Sequence, residues 1–327
     1  MPVHLTIANT NRCNLRCPMC IRQTLPDGDG LRGEMDRDLF LRLAEETFPY
    51  LGRLALSVSG EPFLSSWLPD LLATVERFAV KLEVTSNGTL LADHAILERV
   101  VRNLASLTVS IDAATPATYE AIRVGAKFAA VVANLARLQR MRQRLPPAER
   151  PALGLACVLM RSNIEELPAL VQLASELGLD YVGTAHLQPH RAEMAGESLA
   201  PVRELALRWA AEARTVAKRC GIAFQLPNDL CVAATTDHAC PPAPAAATRK
   251  CHLPWERAWI EFDGTVAACC SPAVNRPILG NLRTNSFREI WSGLAYQRLR
   301  EGIARGTPPP VCRDCDIALP QAILPSA

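Results

Sequence analysis

The chain has 327 residues, 49% of them hydrophobic and 21% charged, with a formal net charge of +2. That length supports one large domain or a medium domain with a smaller companion, and the scattered arginines leave no electrostatic footprint for nucleic acid. No apolar stretch reaches the roughly 18 residues of a membrane helix, and the opening "MPVHLTIAN" lacks the parts of a signal peptide, so a cytoplasmic, soluble protein is expected. Twelve cysteines in such a compartment point to metal ligation or catalysis rather than to disulfides.

In chain order, short β-rich runs alternate with amphipathic helical patterns up to about residue 188. The expected strands are "VHLTIAN", "RLALSVSG", "KLEVTSN", "SLTVSID", "LGLACVLM" and "LDYVGTAHL", with helices such as "MDRDLFLRLAEETF" and "IEELPALVQLASELG" between them. This alternation predicts parallel strands joined by crossovers, in an open sheet or a partial barrel, with chemistry at the carboxyl ends of the strands. Residues 200–220 read as a further helix and "GIAFQLP" as a short strand. The Pro/Ala-rich "ATTDHACPPAPAAATRK" marks a boundary, and beyond it a short, Cys-, Gly- and Trp-bearing segment calls for a metal staple. The expected divisions are 1–190, a connection over 191–245, and a small domain over 246–320.

The loop after the first strand, "NRCNLRCPMC", carries Cys13, Cys17 and Cys20. Three thiols leave a tetrahedral zinc site incomplete unless a distant fourth ligand is borrowed, whereas a 4Fe-4S cluster on three cysteines keeps one iron open. Further along, "SGEP" (Ser59–Pro62) follows the second strand, "TSNG" (Thr85–Gly88) ends the third, "SID" (Ser110–Asp112) ends the fourth and "LMRSN" ends the fifth. Each alone is a common turn or strand end; the set, in order behind the three-cysteine loop, resembles the radical S-adenosylmethionine (SAM) superfamily.

The resemblance implies a partial (β/α)6 TIM-like barrel, α/β in class, and a SAM-chelating cluster on Cys13, Cys17 and Cys20. It also implies SAM contacts from Met19, Gly60, Glu61, Ser86, Asn87, Ser110 and Asp112, with Arg161 as partner for the SAM carboxylate. Ser59 departs from the family's usual first glycine. An external flavodoxin- or ferredoxin-type reductant is implied as well.

The C-terminal segment carries Cys251, the pair Cys269 and Cys270, and Cys312-x2-Cys315, enough for a centre with four thiolates. With "FDGTVAACC", "LGNL" and "FREIW" it resembles the SPASM class of auxiliary iron–sulfur domains, in its shortened, twitch-like form with one auxiliary 4Fe-4S cluster. In that pattern a hairpin glycine precedes a ligand cysteine by five residues, so the resemblance implies Cys269 rather than Cys270 after Gly264, and Cys251, Cys269, Cys312 and Cys315 as ligands. A zinc knuckle is the alternative on spacing alone.

Two kinds of reaction follow. The first is oxidation of a small polar, sugar- or aminocyclitol-like metabolite, with the auxiliary cluster taking the second electron; the short run before the first strand, without a leader-recognition domain, favours it. The alternative is modification of a peptide or protein, and a redox-neutral epimerisation or elimination is a lesser one. An iron–sulfur carrier has no need of the SAM-type motifs. Among later residues, His186, His190 and Arg191 in "HLQPHRAEMAGES", with Arg161, are the candidates for acid–base work.

Overall fold

The computed structural model describes residues 1–24, 32–56, 60–92, 94–227, 230, 251–269 and 277–313. Ten strands form one sheet: β1 (His4–Ile7), β2 (Arg53–Leu56), β3 (Lys81–Ser86), β4 (Leu104–Ser110), β5 (Ala152–Leu159), β6 (Tyr181–His186), β7 (Ala223–Gln225), β8 (Arg257–Ile260), β9 (Thr265–Ala267) and β10 (Ile278–Asn281). Their spatial order is β10-β9-β8-β1-β2-β3-β4-β5-β6-β7. The strands β1 to β7 pair in parallel with their neighbours, as does β8 with β1. Among the described residues the antiparallel pairings are those of β9, with β8 on one side and β10 on the other.

The helices are α1 (Arg37–Thr47), α2 (Leu68–Phe78), α3 (His94–Asn103), α4 (Pro116–Ile122), α5 (Phe128–Gln143), α6 (Leu167–Glu176) and α7 (Arg203–Cys220). In the C-terminal part they are α8 (Leu253–Glu256), α9 (Phe287–Ser292), α10 (Leu294–Ala304) and α11 (Pro310–Arg313). The first of these shows how the sequence sets them. The Asp36 carboxylate caps α1 by accepting the Leu39 N–H at 2.8 Å, and Leu39, Phe40, Leu43, Ala44 and Thr47 recur at helical spacing to bury one face. The strands supply the other layer: Leu5, Ile7, Leu54, Leu107, Leu153, Leu155 and Val182 are all sealed from solvent, as expected where helices cover a parallel sheet.

The six expected strands are therefore present, and the sheet grows at both edges. Strand β7 extends it beyond β6. At the other edge the C-terminal part enters the barrel's own sheet through the β8–β1 ladder, His4 pairing with Arg257 and Ile7 with Ile260. A second attachment comes from α1, where the Glu46 carboxylate accepts the Phe287 N–H at 3.0 Å and the Arg288 N–H at 2.6 Å at the start of α9. Phe287 itself is fully buried. No helix among the described residues is long and apolar enough to cross a membrane.

Candidate active site and auxiliary metal centre

The polypeptide leaves β1 at Ile7 and is tied down on several sides before it reaches the cysteines. Ala8 N–H donates to Ile260 O at 2.8 Å, Asn11 N–H to Gly33 O at 3.0 Å, and Asn9 Nδ2 to Pro62 O at 2.9 Å. Glu61 N–H then donates to Arg12 O at 2.8 Å, docking the segment after β2 onto the loop. This contact explains Gly60: a Cβ there would lie 2.3 Å from Thr10 O and 2.8 Å from Arg12 O, so only glycine lets the two backbones meet.

Cys13, Cys17 and Cys20 follow in this anchored loop, with Cys20 N–H closing a turn onto Cys17 O at 3.1 Å. Donors surround the sulfurs: Leu15 N–H lies 3.4 Å and Asn87 Nδ2 3.7 Å from the Cys13 Sγ, and Arg123 Nη1 lies 3.9 Å from the Cys17 Sγ. Burial pushes the Cys17 thiol up to about 11, opposed by the Arg123 guanidinium. Neither Cys13 nor Cys20 is fully exposed. Two of the three sulfurs, those of Cys13 and Cys17, thus face N–H donors or a cation, which suits an anionic thiolate cluster whose sulfurs accept such bonds.

The ends of β2 to β5 gather the other expected residues. Glu61 is buried, and its carboxylate accepts Ser86 Oγ–H at 2.8 Å and Asn87 N–H at 2.7 Å, lacing the β2 end to the β3 end. Burial pushes its pKa up to about 7 against those donors. Asn87 reaches back to Asn14 Oδ1 at 2.9 Å. Met19 is buried in the loop beside Cys20, and Ser110 is partly exposed at the end of β4. Asp112 is turned elsewhere: one oxygen bonds Arg123 Nε and the other accepts Val158 N–H at 2.8 Å. Both of its oxygens are thus held by the protein rather than presented to a ribose.

The later candidates are dispersed. Arg161 is exposed, with its N–H bonded to Glu197 O at 2.9 Å. His186 is partly exposed at the end of β6; His190 and Arg191 are exposed on the following loop, where Arg191 pairs with Glu193 at 3.3 Å. Ser59 lies outside the described residues. Two residues the motifs did not single out stand at the loop. Arg123 links Asp112 to Cys17, and Arg22, 5% exposed just after Cys20, keeps Nε without a hydrogen-bond partner among the described residues. Neither sits in a recognisable motif; a nonrepeating arginine beside a cysteine loop is the only trace in the sequence.

Two cysteines of the second set, Cys251 and Cys269, lie toward the opposite end of the same sheet. Cys251 precedes α8 and β8, and Cys269 follows β9, which runs back alongside β8 with Ala267 opposite Trp259. The turn between them needs Gly264 (φ 87°), as the count of five to Cys269 assumed. Tyr296 of α10 is buried, and its hydroxyl is 3.5 Å from Ala267 O, two residues before Cys269. Cys312 lies on α11; Cys270 and Cys315, and the unassigned Cys231 and Cys240, fall outside the described residues. Between the two sets run the four residues of β1 and β8, about 13 Å of strand. A cavity of about 350 Å³ between α1 and the β10–α9 segment, lined by Arg42, Glu46 and Arg283 among others, touches neither set.

Residues 8–174 match the model of the radical SAM superfamily, and residues 251–316 that of SPASM, an iron–sulfur cluster-binding domain. The tungsten-containing aldehyde ferredoxin oxidoreductase cofactor-modifying protein of Pyrococcus furiosus is 26% identical over 96% of this chain and 87% of its own. The PqqA peptide cyclase of Granulibacter bethesdensis is 26% identical over 96% of this chain and 80% of its own. In structure, SuiB of Streptococcus suis bound to S-adenosylmethionine superposes with a TM-score of 0.68 at 15% identity, over 92% of this chain and 68% of that one. BtrN in complex with AdoMet and 2-DOIA gives 0.51 at 14% identity, over 97% and 93%.

Proposed function

Because the chain belongs to the radical SAM superfamily and carries a SPASM iron–sulfur domain, we propose that it is an enzyme that modifies a peptide or protein by hydrogen abstraction. The observation that carries this substrate class is the match to a PqqA peptide cyclase, which runs through barrel and C-terminal part together. It displaces the expectation of a sugar- or aminocyclitol-like substrate, which keeps only a likeness of fold to BtrN. A second reading, modification of a metal cofactor, is favoured by the Pyrococcus furiosus relative of that name.

SAM and iron–sulfur clusters come with the two domains. A 4Fe-4S cluster on Cys13, Cys17 and Cys20 supplies, when bound, the low-potential electron that splits SAM and yields a 5′-deoxyadenosyl radical. The chain's own residues do the positioning. Glu61 fixes the Gly60–Pro62 segment by its bonds to Ser86 and Asn87, so that backbone polar groups there are set to take the methionine amino group. Asn87 steadies Cys13, and the Asp112–Arg123 pair sets a positive charge 3.9 Å from the Cys17 sulfur. Met19, Ser110 and Arg161 remain our assignments for adenine, ribose and carboxylate. Cys251, Cys269, Cys312 and Cys315 are our assignment for the residues that would hold one auxiliary cluster, which would supply electron exchange with the substrate.

The test is anaerobic incubation of the reconstituted protein with SAM, dithionite and short peptides encoded beside its gene. We expect 5′-deoxyadenosine together with a mass change in one peptide. Peptides left intact while a polyol is oxidised would restore the metabolite reading.

A further inference from the structure

Arg300 on α10 is held in an unusual way. Its Nε donates to Pro254 O at 2.9 Å and its Nη1 to Trp291 O at 2.9 Å. The guanidinium carbon stands 4.4 Å from the Trp291 ring centre and 4.7 Å from that of Tyr296. Two edges of the fork are thus fixed by carbonyls and the group is seated against two aromatic rings. The remaining nitrogen, Nη2, is buried without a hydrogen-bond partner among the described residues. A buried cationic donor left unsatisfied is costly, so such atoms mark a missing acceptor. Burial also holds the Arg300 pKa below the usual arginine range, the direction expected where an anion is wanting.

The segments around that nitrogen point to the acceptor. Pro254, which takes Nε, is three residues after Cys251; Tyr296, which the guanidinium overlies, reaches Ala267 O at 3.5 Å, two residues before Cys269. Arg300 is therefore fixed to the segment after Cys251 directly and linked through Tyr296 to the strand that leads to Cys269. A 4Fe-4S core with four thiolates carries a net charge of about −2, becoming −3 on reduction, and hydrogen bonds and charge around the sulfurs set the potential. We propose that Arg300 is a positioning and charge-compensating residue of the auxiliary cluster, its Nη2 donating to a cluster sulfur and its charge raising the reduction potential. This rests on the reading of Cys251, Cys269, Cys312 and Cys315 as the ligands of that cluster.

The experiment uses the full chain with Cys13, Cys17 and Cys20 replaced by Ala, so that only the auxiliary cluster is present, and follows its reduction by EPR-monitored titration alongside iron content. Arg300→Gln is expected to keep about four irons and shift the potential to more negative values. Arg300→Lys, which keeps the charge and loses the fork, is expected to shift it less. If the glutamine variant fails to fold, Trp291→Leu, which unseats the guanidinium without removing it, is expected to move the potential in the same direction. A residue that merely bolts α10 to α8 would lower melting temperature and leave the potential unchanged. Four irons at an unmoved potential in Arg300→Gln, or in Trp291→Leu where it stands in, would overturn Arg300's role alone. No iron in the Cys-to-Ala parent would overturn the ligand assignment and this inference with it.

Discussion

Replacing Arg123 by Met should destabilise the protein and loosen the cysteine loop together. The Asp112 side chain is wholly buried and Arg123 is 13% exposed, so the methionine strands a carboxylate with only Val158 N–H for company. Removing one partner of a buried pair costs about 3–5 kcal/mol. An entropy of unfolding of about 2.1 cal/mol/K per residue, over a chain of this length, converts that to a fall of roughly 4–7 °C in melting temperature. Asp112→Asn keeps an oxygen for Val158 and removes the charge, so the double variant should lose only about 1–2 kcal/mol, leaving a coupling of at least about 2 kcal/mol. Differential scanning fluorimetry on the four proteins, with iron content measured on each, decides the matter. A melting temperature within 1 °C or so of wild type for Arg123→Met, or costs in the double variant that simply add, would refute the argument.

Three further outcomes are expected. Cys269→Ala should remove the auxiliary cluster's four irons of an expected total of about eight, while Cys270→Ala should keep them; equal losses would mean that the register from Gly264 is off. Gly60→Ala drives a Cβ to 2.3 Å from Thr10 O, so SAM affinity should fall at least about tenfold by calorimetry, an amount worth about 1.4 kcal/mol, while the far-ultraviolet dichroism stays that of the barrel. His4 is held down to about 4 by burial and by Arg257 and Arg53; Glu83 lies 3.6 Å away but is shared with Arg53. The unfolded chain, with its histidine near 6.5, takes up that proton first, so stability should fall as pH drops from about 6.5 towards 4, by up to roughly 3 kcal/mol, and His4→Gln should flatten the slope.

The sequence displayed what local patterning and spacing encode. Strand-helix alternation placed β1 to β6 within two residues of their observed starts, and the Gly264 turn carried the hairpin to Cys269. What it hid is tertiary. Nothing in "RAWI" says that β8 will lie parallel to β1 and make the C-terminal part an edge of the barrel's own sheet. The motif "SID" carries no sign that Asp112 is claimed by an arginine eleven residues on, because that pairing depends on where α4 ends. Arg300 is likewise invisible: its two carbonyls and two rings come from α8, α9 and its own helix, and only packing joins them.

The central claim is that the loop at the end of β1 supports reductive cleavage of SAM and that a peptide or protein receives the radical. The most direct measurement is a single-turnover assay with a peptide substrate whose target hydrogen is deuterium, run with the reconstituted protein, SAM and dithionite and read by mass spectrometry of the 5′-deoxyadenosine. The account predicts one deuterium in that product from the wild-type protein and no product when Cys13, Cys17 and Cys20 are Ala. Undeuterated 5′-deoxyadenosine beside an altered peptide, or cleavage that survives loss of the three cysteines, would contradict it.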